Sequence, residues 1–139
     1  MSDSPLQVVA VLILKNDDVL LVRHTNSKHI ESIYGLPGGK LEPGESEAEG
    51  AKRELQEETG LSASLSDLVE LPTLWKADVT FKNGDIRHCS MRVFLCKNCS
   101  GEMRGTEHEI TEWVPLTHVK NLMLLPNVEN AIREGLAHL

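Results

Sequence analysis

Cysteine, basic residues and long apolar runs are all in short supply, and each shortage closes off a class of protein. Three cysteines (Cys89, Cys96 and Cys99) in 139 residues do not make a disulfide framework, and a reduced, cytoplasmic setting is the expectation. No apolar run approaches the roughly 20 residues of a membrane span, so no membrane partner is expected. The stretch "MSDSPLQVVAVLILKNDD" has acidic Asp3 in place of a basic leader, with Asp17 and Asp18 where a small-residue cleavage site would stand. It reads as a strand and not as an export signal. Fourteen Lys and Arg against 21 Asp and Glu leave a formal net charge of −7. That argues against a nucleic-acid polymer as partner, because its phosphates call for a basic surface. No repeat, linker or low-complexity segment interrupts the chain. Residues 1–139, 40% hydrophobic, suffice for one core and are expected to form a single domain.

What is present sorts into alternating elements. Val8 to Leu14 and Val19 to Arg23 are apolar, β-branched runs separated by "KNDD", the pattern of a hairpin. Residues 24 to 39 form a polar loop that runs into a short apolar piece and a Pro-Gly-Gly turn. A helix is expected over about Glu47 to Thr59, with Ser46 and Glu49 as its capping box and Gly60 as its C-terminal stop. Leu65 to Trp75, Ala77 to Phe81 and Cys89 to Cys96 read as strands, "EWVPL" at 112 to 116 as a last short strand, and Pro126 to His138 as a terminal helix burying Val128, Ile132, Leu136 and Leu139. The fold class is α/β or α+β, with a mixed β-sheet packed between helices.

The stretch "GGKLEPGESEAEGAKRELQEETGL", residues 38 to 61, carries seven Glu against Lys40, Lys52 and Arg53. At 100° per residue, Ala48, Ala51 and Leu55 form an apolar stripe, while Glu47, Gly50, Glu54, Glu57 and Glu58 fill the adjacent arc. Glu54 with Glu57 and Glu54 with Glu58 are like-charge pairs, each costing a bare helix ~0.2 to 0.5 kcal/mol, and Gly50 costs roughly 1 kcal/mol relative to alanine. A solvated acidic face is the plain explanation of such a run. Three features point to a divalent cation instead: the arc borders the buried stripe, Gly50 leaves room where a ligand could approach, and "PGG" lies just upstream. Mg²⁺ is held by a few carboxylates plus phosphate and water. Arg53, four residues before Glu57, is placed to orient that carboxylate, or to form a plain helix ion pair with Glu49 or Glu57.

Gly39, Glu45, Arg53-Glu54-Leu55, Glu57-Glu58 and Gly60-Leu61, at these spacings, resemble the Nudix box at every specified position. The order of strands and helices also resembles the Nudix fold, an α/β/α sandwich, so the resemblance extends over the whole chain with the box at 39–61. It implies hydrolysis of a nucleoside diphosphate linked to another group, with Mg²⁺ or Mn²⁺ as cofactor. It makes Glu54, Glu57 and Glu58 metal ligands, the Gly39 carbonyl a further ligand, Glu45 a supporting residue and Arg53 part of the catalytic group. The base is either Glu54 or a loop carboxylate. Family members often carry such a glutamate shortly before a tryptophan; here Glu107, Glu109 and Glu112 precede Trp113, with Glu107 or Glu109 favoured.

Length, and the ungapped spacing from Arg23 to Gly39, resemble the MutT-like branch, which cleaves nucleoside triphosphates to monophosphate and pyrophosphate. By that likeness Arg23 or His24 contacts a phosphate or sugar, and Asn127 reads a purine edge; the plain readings are a surface charge for Arg23 and a helix cap for Asn127. Tyr34 and Trp75 are candidates to stack on a base, or are simply core aromatics. The markers of branches acting on ADP-ribose, nucleotide sugars or dinucleotide polyphosphates are absent from "WKAD" at 75 to 78 and from the stretch after the box. A non-catalytic nucleotide sensor is the reading from a different class. Homodimers are common in the family, and the resemblance leaves one open here. "CKNCSG" at 96 to 101 has zinc-like CxxC spacing near His88 and Cys89, but Cys96 closes an apolar strand and no second pair follows, so packing is preferred.

Overall fold

The computed structural model describes residues 5–26, 29–80, 84–104 and 109–139. The elements run β1 (Leu6–Leu12), β2 (Leu14–Lys15), β3 (Asp18–Asn26), β4 (His29–Gly35), β5 (Gly38–Lys40), α1 (Glu47–Thr59), β6 (Leu68–Thr80), β7 (Ile86–Cys96), β8 (Glu109–Pro115) and α2 (Val128–Ala137). Short 3-10 turns occupy Leu65–Asp67 and Leu116–Asn121.

The strands form two sheets where one mixed sheet was expected. The first has the order β5-β1-β7-β6, with β1 and β7 parallel and the outer pairs antiparallel. The second is built on β3, which pairs with β2, β4 and β8, all antiparallel. The expected opening hairpin is therefore only partly present. The apolar run breaks at Ile13: Leu14 and Lys15 fold back on β3, while β1 leaves for the centre of the other sheet. The reason lies in its side chains. Val9, Val11 and Ile13 enter one buried cluster and Ala10 and Leu12 another, and burial on both faces is the mark of a central strand, not of a hairpin arm.

The two clusters make the layers. On one side Ala51 and Leu55 of α1 pack on Val9, Val11, Leu20 and Phe94. On the other, Val128, Ala131 and Ile132 of α2 pack on Leu12, Leu21, Leu71, Val93 and Val114. The β-structure lies between helices, as the pattern implied. Leu136 and Leu139 do not join the core; they are 41% and 78% exposed, and Ala131 and Gly135 fill that face of α2. Strand β6 also departs from expectation. It runs unbroken through Lys76, and its irregularity falls at residues 71–73, where the register to β7 shifts around Pro72. Arg92 Nη1 donates to the Leu71 and Pro72 carbonyls, and Glu134 of α2 accepts from the Thr73 N–H at 3.3 Å and from its hydroxyl, so the bulge is tied from two directions.

Candidate active site

Local sequence fixes the acidic helix at both ends. Ser46 Oγ accepts from the Glu49 N–H at 3.1 Å and Glu49 Oε1 accepts from the Ser46 N–H at 3.2 Å, closing the capping box. Gly60, at φ 80°, donates its N–H to Gln56 O and ends α1 in the left-handed region that glycine favours. Gly50 has a different use from the one expected. It is buried, and a Cβ there would sit 2.7 Å from Leu41, 2.9 Å from Glu45 Oε1 and 3.3 Å from Val9. The glycine lets the helix close on β1 and on the 41–45 turn; it is a packing contact and not an opening for ligand.

The short strand β5 brings the Pro-Gly-Gly turn against the carboxylates. A Cβ at Gly39 would meet the Glu54 carboxyl group at 2.5 to 2.7 Å, and the Gly38 N–H donates to Glu58 Oε1 at 2.5 Å. Glu54 is nearly enclosed, with 12% of its side chain exposed, whereas Glu57 is 57% exposed. Arg53 organises the group. Its Nε and Nη2 bind Glu45 in a fork at 2.7 and 2.9 Å, its Nη1 reaches Glu54 at 2.8 Å and Glu57 at 3.2 Å, and Nη2 also donates to the Lys40 carbonyl. Its partner one turn on is Glu57; Glu49 serves the cap.

The electrostatics follow from these contacts. The Arg53 fork, helped by the Glu42 N–H, holds the Glu45 carboxyl down to about 2. Glu54 shifts the opposite way: burial raises it, and the charges of Glu57 and Glu45 add to the rise against the pull of Arg53. A buried carboxylate among like charges, facing backbone with no room for a side chain, is short of positive charge. Hard oxygen donors of this kind suit Mg²⁺ or Mn²⁺. Among the described residues no three acidic, His or Cys side chains form a ready-made metal site, and Arg53 engages both Glu54 and Glu57.

Of the glutamates before Trp113, Glu107 lies outside the described residues, as does the side chain of Glu109, whose backbone opens β8 opposite His24. Glu112 belongs to a separate group that the sequence did not suggest. Its neighbour Thr111 donates to the Glu58 carbonyl at 3.4 Å on the α1 side, while Glu112 Oε1 lies 3.0 Å from Arg23 Nε and its Oε2 accepts from the Tyr34 hydroxyl at 3.4 Å. Arg23 and Tyr34 are direct partners across β3 and β4, and His24 stands beside them opposite Ile33. Asn127, at φ 67°, occupies the N-cap position before α2, but its side chain makes no capping bond; its Nδ2 donates to the Lys76 carbonyl at 3.3 Å. Trp75 packs at the edge of the same core as Tyr34. Cys96 donates to the Asn98 carbonyl, and its thiol is pushed up to about 11 by burial, which fits a packed thiol better than a metal ligand.

The chain as a whole has relatives of known family. The sequence model of the NUDIX domain matches residues 5–139. The chain belongs to the Nudix hydrolase family. The 8-oxo-dGTP diphosphatase of Escherichia coli (strain K12) is 30% identical to this Nudix chain over 108 residues, 78% of each protein. The CTP pyrophosphohydrolase of the same organism is 33% identical over 108 residues, 78% of this chain and 74% of that one. The crystal structure of a MutT Nudix hydrolase from Burkholderia pseudomallei matches this Nudix fold with a TM-score of 0.70 at 25% identity, over 94% of this chain and 98% of that one.

Proposed function

We propose that the protein is a Mg²⁺- or Mn²⁺-dependent pyrophosphohydrolase of the cytoplasm that converts a free nucleoside triphosphate to the monophosphate and pyrophosphate. The observation that carries this reading is the Arg53 hub, which gathers Glu45, Glu54 and Glu57 beside Gly38 and Gly39. The names of the E. coli relatives support nucleoside triphosphates as substrates.

In this reading Glu54, Glu57, Glu58 and the Gly39 carbonyl would hold the cation. When bound, it neutralises the diphosphate and lowers the pKa of water. The chain's own residues do the rest. Arg53 fixes the direction of the Glu54 and Glu57 carboxylates and resists their repulsion, and Glu45 fixes Arg53. Gly39, lacking a Cβ, leaves room for the Glu54 carboxyl group against the strand. Glu54, made more basic by burial, or a carboxylate at Glu107 or Glu109, takes the proton of the water that attacks phosphorus in line.

The test is a panel of nucleoside triphosphates, ADP-ribose, nucleotide sugars and dinucleotide polyphosphates with added magnesium, with products identified by chromatography. The expected products are monophosphate and pyrophosphate. Cleavage confined to the other classes overturns the substrate reading, and tight binding with no cleavage of any compound makes the protein a sensor.

A further inference from the structure

The Arg23–Glu112–Tyr34 group does no evident work for the phosphates. Strand β8 alternates its side chains: Thr111 and Trp113 face α1, while Val114 enters the α2-side core and Glu112 lies with Arg23 and Tyr34. The carboxylate therefore stands away from the acidic helix. It is also poorly suited to an anion, because Arg23 is already paired with it at 3.0 Å and Glu112 offsets the charge that would attract phosphate. Tyr34 is pinned through its N–H to Met123 O and its carbonyl to the Leu125 N–H, and Tyr34, Trp75, Met91, Leu124 and Leu125 all pack at the rim of one core. The Glu112 side chain remains 34% exposed, and each oxygen has accepting capacity beyond its one partner.

We propose that Glu112 is a specificity-determining residue that reads the nucleobase, favouring a base with two adjacent hydrogen-bond donors, as the N1–H and 2-amino group of guanine provide. Of the common bases only guanine presents two neighbouring donors on its pairing edge; adenine and cytosine each offer a donor beside an acceptor, which would face a carboxylate oxygen. Arg23 holds the carboxylate in place through their ion pair, Tyr34 supplies an aromatic surface and a hydroxyl, and the phosphates lie at α1. The assignment rests on the nucleotide reading above.

Calorimetric binding of GMP, IMP, AMP and CMP to the whole protein separates the possibilities without requiring turnover. GMP is expected to bind about tenfold or more tightly than IMP, which lacks the 2-amino group, and more tightly still than AMP or CMP. Glu112→Gln, which exchanges one acceptor for a donor, is expected to bring GMP and IMP within about twofold. Equal binding of GMP, IMP and AMP by the wild type, as a carboxylate gripping ribose hydroxyls would give, overturns the proposal. So does a GMP preference that survives in Glu112→Gln with an unchanged melting midpoint. If that variant fails to fold, the wild-type ratio and Glu112→Asp decide. Cleavage of all triphosphates at equal rates, with no base preference in binding, refutes this inference alone; a GMP preference without any cleavage refutes the enzymatic reading alone.

Discussion

Gly38 and Gly39 are neighbours that meet different obstacles, and the difference assigns them different work. A Cβ at Gly38 would lie 2.3 Å from the Val9 carbonyl oxygen and 2.8 Å from the Ala10 Cα, backbone atoms that cannot turn aside. Gly38→Ala should therefore destabilise the fold by about 1 to 3 kcal/mol, seen as a lowered denaturation midpoint. At Gly39 the obstacle is the Glu54 carboxyl group, a side chain that can move. Gly39→Ala should keep its midpoint within a few degrees yet lose about 100-fold in kcat, since displacing a positioned carboxylate by a fraction of an ångström is costly to catalysis. Equal loss of activity and stability in both variants would contradict the assignment. At this scale the sequence spoke unevenly. The box spacing marked Glu54, Glu57, Glu58 and Arg53 because all lie within two helical turns. It misled at Gly50, whose contacts come from Leu41 and Val9, and it offered Glu112 only as one of three loop carboxylates before Trp113, with no sign of its partner Tyr34, 78 residues away.

Among the elements, α1 is fixed by interactions that are mostly local, which is why its limits and both caps could be read directly. Its attachment to the rest is less local and runs through Glu45. The Arg53–Glu45 fork joins the helix to the turn that precedes it, and Glu45 Oε1 also accepts from the Glu42 N–H at 3.1 Å. Because the folded pKa of Glu45 is about 2 against an ordinary 4.5, its contribution is fully present above 4.5 and is lost as pH falls from there towards 2. The stability gap between wild type and Glu45→Gln, followed by urea denaturation, should be constant above pH 5 and shrink below 4.5 (a window set by the two pKa values). A gap that stays level through that range would contradict the fork. Strand β6 shows the opposite case. Its bulge at residues 71–73 depends on Glu134 from the end of the chain, so the sequence suggested a break in the wrong place. Glu134→Ala should cost about 1.5 kcal/mol in denaturant unfolding, from two lost bonds to Thr73; an unchanged midpoint would show that the bulge stands without α2.

For the molecule as a whole, the charged helix packs on one core cluster and the apolar rim borders the other, and β8 links them, with Thr111 bonded to the Glu58 carbonyl and Glu112 beside Tyr34. Glu54 and Glu58 lie with β5 on the α1 side, and Tyr34, Trp75 and Asn127 gather where the α2-side core ends. The layer order followed from periodicity, but the division into two sheets did not, because β1 pairs with β7 from the distant second half of the chain. The central claim is that the like charges of α1 are gathered to hold a divalent cation against a nucleotide's diphosphate. Manganese binding followed by electron paramagnetic resonance, with and without a non-hydrolysable nucleoside triphosphate analogue, tests it most directly. The account predicts uptake by the wild type that strengthens with nucleotide and falls about 10- to 100-fold in Glu57→Gln with the melting midpoint retained. No uptake by the wild type under either condition, or equal uptake by the variant, would contradict it.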